Sequence, residues 1–191
     1  MFEEISPVPI AAASLGQVYK AKIRGSGDEV AVKVQRPGVL EMVALDLVLM
    51  RQGIEISAKL FPDLARSDGL LPVLDEWATK FFREMDYRKE AVTMLQFKSD
   101  LACLEGIMVP NAYAELTTRR VIVTQWIDGE KLSESRAEDV RELCTTLLNA
   151  YLIQLLDTGL LHADPHPGNL IRTPDGKICI LDYGALSFLH F

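Results

Sequence analysis

His162-Ala163-Asp164-Pro165-His166-Pro167-Gly168-Asn169, followed by Leu181-Asp182-Tyr183-Gly184, is the stretch that decides how this chain is read. Asp164 and Asn169 stand five residues apart on a loop that Pro165 and Pro167 stiffen, and Asp182 follows thirteen residues after Asn169. A carboxylate on such a loop can orient or deprotonate a hydroxyl. An Asn amide oxygen and a second carboxylate can share one Mg²⁺, which takes oxygen ligands, usually one or two carboxylates beside phosphate oxygens. Alone, Asp182-Tyr183-Gly184 is an ordinary turn signal, and Asp164, His166 and Asn169 would cap and turn a surface loop. The joint pattern, in order and between predicted strands, outweighs that plainer reading. His162 and His166 have no Cys or third His beside them, so zinc is set aside.

The spacing H-x-D-x-x-x-x-N … D-x-G is similar to that of protein kinases, which sends the search upstream for a phosphate-facing lysine. Val30-Ala31-Val32-Lys33 supplies one, on the second arm of a predicted hairpin over Gln17–Ile23 and Glu29–Gln35. A lysine in an apolar run can snorkel at a sheet edge, but a downstream metal–phosphate loop favours an inward ammonium. It needs a carboxylate, and Glu84 and Glu90 are the candidates. On one unbroken helix their six-residue separation puts them about 240° apart, so both cannot face Lys33. Periodicity does not choose between them, and either could lie on a solvated face. Ahead of the hairpin, Ala11-Ala12-Ala13-Ser14 stands where a kinase keeps its glycine-rich loop. Alanine lets the backbone come close but restricts φ. It could equally be a helix start.

The remaining elements follow from pattern. Helical spacing runs from Val39 to about Phe61 and, as one long helix, from about Leu70 to Leu101. Short strands are expected at Ile107–Pro110, Ala112–Leu116 and Arg120–Trp126, then a helix over Ala137–Thr158 capped by Gly159. Leu160–Asn169 reads as loop, and Leu170–Arg172 and Ile178–Leu181 as a small hairpin. This is an α+β plan in two lobes, with 1–127 as the first lobe, long helices included, and 128–191 as the start of the second. At the seam, the backbone of Thr124–Ile127, with Gln125 and Ile127 foremost, is placed to meet an adenine.

Composition narrows the classes. The 191 residues are 49% hydrophobic with a net charge of −7, a folded chain with no basic patch for nucleic acid. Three scattered cysteines form no disulfide framework. No stretch reaches the roughly 20 clean apolar residues of a membrane span. The acidic start, with Glu3 and Glu4, carries no targeting signal.

The sequence resembles the UbiB family of atypical kinases, also called the aarF-domain or ADCK family. The likeness rests on Ala11–Tyr19, Val30–Gly38, Glu84-Met85-Asp86-Tyr87-Arg88-Lys89-Glu90-Ala91, Trp126-Ile127-Asp128-Gly129 and His162–Asn169. The resemblance implies a protein-kinase-like fold binding ATP or ADP with Mg²⁺. Lys33 would meet phosphate, paired with Glu90 or, in second place, Glu84. Asp164 would take the catalytic position, Asn169 and Asp182 the metal, and Ala11, Ala12, Ala13, Ser14, Val18, Lys33, Gln125 and Ile127 the nucleotide. It further implies ATPase or phosphotransfer activity in a full-length parent linked to prenyl-quinone lipid metabolism, with prenyl-lipid or membrane-associated lipid-synthesis proteins as partners. The wording around Trp126 and Arg172 is most similar to the photosynthetic branch, so a plastid is expected ahead of a mitochondrion. The family's Lys-x-Gly-Gln helix and the end of the large lobe are missing, so a truncated chain with exposed apolar surface is expected. The loop is also similar to that of aminoglycoside and choline kinases, which keeps a small-molecule phosphotransferase open, and a non-catalytic nucleotide-binding regulator is the third reading.

Overall fold

Alternation of inward valines with outward polar residues builds the first sheet. A computed structural model of the chain describes residues 1–12, 15–60, 70–163, 166–184 and 186–188. Strands β1 (Phe2–Ile5), β2 (Ala11–Ala12), β3 (Gly16–Ile23) and β4 (Glu29–Gln35) come first, and β1 and β2 both pair with β3. β3 and β4 form the expected hairpin with Val18 opposite Lys33. Val30 and Val32 are buried with Ala21 and Val123, which leaves Ala31 and Lys33 on the other face. Gly25 and Gly27, at φ 98° and 77°, give the turn its left-handed residues.

Helix α1 (Val39–Leu60) follows as expected, with only Val39 and Leu47 buried. The single helix expected over 70–101 is instead two, α2 (Leu70–Glu84) and α3 (Tyr87–Asp100). Asp86 breaks it: its backbone is extended, and its carboxylate accepts from the Arg88 amide and takes the Arg88 guanidinium on both oxygens. Aspartate is favoured as an N-cap because it satisfies amides that the first helical turn leaves open. The helix-wheel conflict between Glu84 and Glu90 therefore vanishes, since they belong to different helices.

After β5 (Ile107–Met108) the expected strand Ala112–Leu116 reduces to one bridge, Ala112 with Thr124, and a 3-10 turn at Ala114–Leu116. Thr117 draws the chain back there, its hydroxyl donating to the Tyr113 carbonyl and accepting from the Val123 amide. β6 (Val121–Gln125) then completes the sheet in the order β1-β3-β4-β6. β7 (Glu130–Lys131) precedes α4 (Val140–Ile153), which starts later than expected and ends in a π turn over Gln154–Thr158. Gly159 at φ 68° closes it, as the glycine predicted. Leu148, Leu152, Leu155 and Leu156 remain exposed on this helix and turn, the apolar surface that was expected.

The stretch read as loop contains β8 (Leu160–His162), whose partner is β11 (Leu186–Phe188), and a 3-10 turn at Pro167–Asn169. β9 (Leu170–Arg172) and β10 (Ile178–Ile180) form the small hairpin, inside a sheet ordered β5-β10-β9-β7. β5 precedes position 127, so this sheet draws strands from both sides of the expected seam. A second core joins Met94 and Phe97 of α3, and Leu101 just past it, to Leu143, Leu160, Ile178, Ile180 and Tyr183. Helix α3 is thus gripped at both ends, by the first sheet through Tyr87, Ala91 and Ile122 and by this core through Phe97.

Candidate functional site

Three elements bring their charges to one point. Lys33 Nζ on β4 donates to both carboxylate oxygens of Glu90 on α3, at 3.0 and 3.2 Å, and to Asp182 Oδ1 just past β10, at 3.3 Å. Positions 57 and 149 residues away along the chain thus meet one ammonium. The Glu90 side chain is 5% exposed, Lys33 26% and Asp182 43%, so the cluster is dry on the helix side and open toward Asp182.

The electrostatics follow from that gradient. Burial by itself would lower the Lys33 pKa, yet the charges of Glu90 and then Asp182 outweigh it and raise it above the ordinary lysine value. Burial pushes the Glu90 carboxyl up, against the pull of Lys33. Burial also pushes Asp182 up, but there Lys33 and the Gly184 amide prevail and its pKa falls. Both shifts in the buried pair run upward, which favours the charged form of Lys33 and opposes that of Glu90. With two carboxylates facing one cation, Lys33 stays protonated.

Each charged group is held by its neighbours. Tyr183 is buried, donates its hydroxyl to the Ile180 carbonyl at 2.7 Å and packs edge-on against Phe97. That anchors the residue beside Asp182. The buried His162 ring holds Asp182 from the other side: its Nε2 lies 2.6 Å from the Asp182 carbonyl, which can only accept, so Nε2 carries the hydrogen. The Gly184 amide donates to Asp182 Oδ1 at 3.0 Å. His166 is exposed, and its Nδ1 accepts from the Gly168 amide. Neither histidine is placed as a metal ligand.

Asn169 reaches the same end of the small hairpin. Leu181 N–H donates to the Asn169 carbonyl at 2.9 Å, which continues the β9–β10 ladder and sets Asn169 one residue out of step with Asp182. Their side-chain oxygens are hard donors of the type Mg²⁺ takes. Among the described residues no group of three or more His, Cys, Asp or Glu could hold a metal, so phosphate and water oxygens would have to complete its shell. The donor set fits Mg²⁺ brought in with a polyphosphate.

Ala11, Val18, Lys33 and Ile122 lie in one cross-strand row over β2, β3, β4 and β6, so the alanine stretch opens on the face that carries Lys33. Ala12 sits beside it opposite Gln17. Ala13, Ser14 and Asp164 lie outside the described residues. Glu84 ends α2 beside this cluster and has no ion pair among the described residues. Burial, then the charges of Asp182 and Glu90, raise its pKa. Of the two glutamates left open by the sequence, Glu90 is the one on Lys33.

At the seam, the Gln125 amide donates to the Asn111 carbonyl and its side chain accepts from the Asn111 amide, so both are already engaged by Asn111. The Trp126 amide donates to Glu29. Ile127 is the next residue, and its backbone groups bond to nothing among the described residues. The tight fit behind it was not legible in advance: a Cβ on Gly129 would strike the Arg172 carbonyl oxygen and the Ile171 side chain. Glycine there lets the connector lie flat on β9. Tyr87, Tyr183 and Phe97 were also missed as supports. A Tyr inside the Glu84–Ala91 and Asp182–Gly184 motifs was the only available signal.

The profile of the ABC1 atypical kinase-like domain matches residues 1–191. The chain is 44% identical over 192 residues to the chloroplastic protein ACTIVITY OF BC1 COMPLEX KINASE 3 of Arabidopsis thaliana, covering 98% of this chain and 27% of that protein. It is 45% identical over 190 residues to an uncharacterized chloroplastic aarF domain-containing protein kinase of the same plant, covering 97% and 26%. It spans about a quarter of the length of these relatives. A solved structure, the complex of Rv3197 with erythromycin from Mycobacterium tuberculosis, superposes with a TM-score of 0.81 at 33% identity, covering 98% of this chain and 47% of that one. Fold, motifs and matched length agree with the kinase-like expectation: the chain belongs to the ABC1 atypical kinase-like family, the family also called UbiB or aarF.

Proposed function

We propose that this chain forms the nucleotide site of an atypical kinase, binding ATP or ADP together with Mg²⁺. The observation that supports it most is Lys33 held between Glu90 and Asp182, an ammonium kept charged and aimed by one buried carboxylate and one open one. In this reading Lys33 meets the α- and β-phosphates and Glu90 fixes its direction. Asn169 and Asp182 hold the metal, which would neutralise phosphate charge and orient the β- and γ-phosphate oxygens. Ala11, Ala12, Ala13, Ser14 and Val18 cover the phosphates, and Asp164 takes the catalytic position over the acceptor. The Ile127 backbone meets the adenine. Gln125 contributes its place in the strand rather than its amide, which is already bonded. Lobes 1–127 and 128–191 would close on the ligand from either side, with β5 bound into the second.

We extend the reading to the whole protein as ATPase or phosphotransfer activity linked to prenyl-quinone lipid metabolism, with lipid-synthesis proteins at a membrane as partners. Family membership supports this. The expected plastid location agrees with the plant relatives, which are named chloroplastic. No helix among the described residues is long and apolar enough to cross a membrane.

The test is calorimetric titration of the purified protein with ATP and with ADP, each with and without Mg²⁺. Binding that needs Mg²⁺ and is lost in Lys33→Met supports the site. A ligand saturated at 100 times Kd adds about 2.7 kcal/mol to folding stability, so unfolding under the same conditions gives a second reading. Absence of binding to either nucleotide overturns it. With binding in hand, phosphate release without an acceptor marks an ATPase, transfer to a soluble alcohol or amino sugar marks a small-molecule kinase, and neither marks a regulator.

A further inference from the structure

We propose that Tyr87 is a positioning residue of this site: one buried ring sets the distance between the Lys33 ammonium and the start of β3, where the alanine stretch returns to the sheet. This deepens the nucleotide-site reading and rests on it.

Tyr87 is the first residue of α3 and is 4% exposed. Its amide donates to the Arg119 carbonyl at 3.1 Å, and its side chain packs with Ala91 and Ile122, so the ring has little freedom. Lys33 Nζ lies 5.1 Å from the ring centroid, within reach of a cation–π attraction. The hydroxyl end reaches β3. A Cβ built on Gly16 would come within 3.0 Å of the Tyr87 hydroxyl oxygen and 3.0 Å of the Val34 carbonyl oxygen. Gly16 is therefore a place where ring and strand touch with no space for a side chain. The same junction is tied a second time, by Gln35 Nε2 donating to the Met85 carbonyl at 2.6 Å.

These contacts join three parts that must agree for phosphate to be gripped. Glu90 lies one turn along α3 from Tyr87 and holds the ammonium directly. Tyr87 meets the same ammonium with its ring, and its hydroxyl end abuts the strand that follows the alanine stretch at Gly16. A shift of α3 therefore carries Lys33 and the floor of the phosphate loop together. Phe at this position would keep the ring and lose the hydroxyl contact, whereas Leu would lose both.

The experiment has two arms on the purified protein. In the first, Tm is measured without nucleotide for wild type, Gly16→Ala, Tyr87→Phe and the double variant. The Val34 contact is common to both backgrounds and cancels, so the loss caused by Gly16→Ala should shrink by at least about 2 °C once the hydroxyl is gone. In the second, Mg-ATP affinity is titrated: Tyr87→Phe, which keeps the ring on Lys33 and loses the hydroxyl end, should weaken binding about twofold, and Tyr87→Leu, which loses both, about fivefold. A ring that served only the core would move Tm and leave the affinity ratio of the two variants near one. Additive Tm losses, or equal Mg-ATP affinity for the Leu and Phe variants, overturn the proposal. A wild type that binds no Mg-ATP overturns the nucleotide reading instead, while the Gly16–Tyr87 cycle still decides whether the ring braces the strand. That cycle uses only Ala and Phe changes, so it stays readable if the Leu variant does not fold.

Discussion

Replacing Lys33 by Met removes the ammonium that makes a buried Glu90 tolerable. The Glu90 side chain is 5% exposed with Lys33 Nζ at 3.0 Å, so the variant strands a carboxylate inside the protein. Removing one partner of a fully dry pair costs about 3–5 kcal/mol. Here Lys33 is 26% exposed and Asp182 43%, so water reaches one side of the cluster, and about 2 kcal/mol at neutral pH is the better figure. For a chain of this length that is a fall in Tm of about 4–8 °C. The pH direction follows from counting protons. Burial pushes the Glu90 carboxyl up, and in the variant no ammonium opposes it. The folded variant then binds more protons than the unfolded chain, so its stability falls as pH rises from about 4.3, the ordinary Glu value, through the raised folded one. Urea unfolding at pH 5 and pH 8 of wild type, Lys33→Met, Glu90→Met and the double variant reads this out. Lys33→Met should be weakest at pH 8 and close part of the gap at pH 5. The double variant should return to within about 1 kcal/mol of wild type, since an apolar pair of similar volume replaces the ions. A loss that does not depend on pH, or that Glu90→Met does not relieve, refutes the reasoning.

Three further outcomes are expected. Asp182→Asn should abolish the Mg²⁺ dependence of nucleotide binding. It should also flatten the stability profile in acid: although burial opposes it, Lys33 holds this carboxyl below its usual range, so its contribution is present above about pH 3.9 and lost as pH falls through the lower folded value. Unchanged Mg²⁺ dependence in calorimetry would count against the assignment. Gly129→Ala should cost about 1–3 kcal/mol in urea unfolding, because the new methyl meets the fixed Arg172 backbone, and an unmoved midpoint would show that the connector can shift. Asp86→Ala should lower stability by about 1 kcal/mol through loss of the α3 cap, read by the same unfolding curves, and a neutral result would place the break between α2 and α3 on packing alone.

What the sequence could carry was the chemistry and the local pattern. The β3–β4 hairpin stood out because its valines alternate, and the β9–β10 hairpin because Pro174-Asp175-Gly176 marks its turn. Lys33, Glu90 and Asp182 could be named because their residue types and order match a phosphate site. Which glutamate faces Lys33 could not be read, since the periodicity of 70–101 is continuous and the break rests on one capping carboxylate, Asp86. β8 was hidden because its three residues find their partner more than twenty positions later, and no local signal announces a long-range pair. β1 was hidden because two adjacent glutamates interrupt a four-residue strand. The fits at Gly16 and Gly129 depend on what the fold brings opposite them, which lies beyond any local reading.

The most direct measurement is the structure of the protein with Mg²⁺ and a non-hydrolysable ATP analogue. The account predicts Lys33 Nζ within hydrogen-bond reach of the α- or β-phosphate with Glu90 still upon it, and Asp182 and Asn169 oxygens on the metal. A nucleotide seated away from the β4–α3 face, or a metal that touches neither residue, would contradict it.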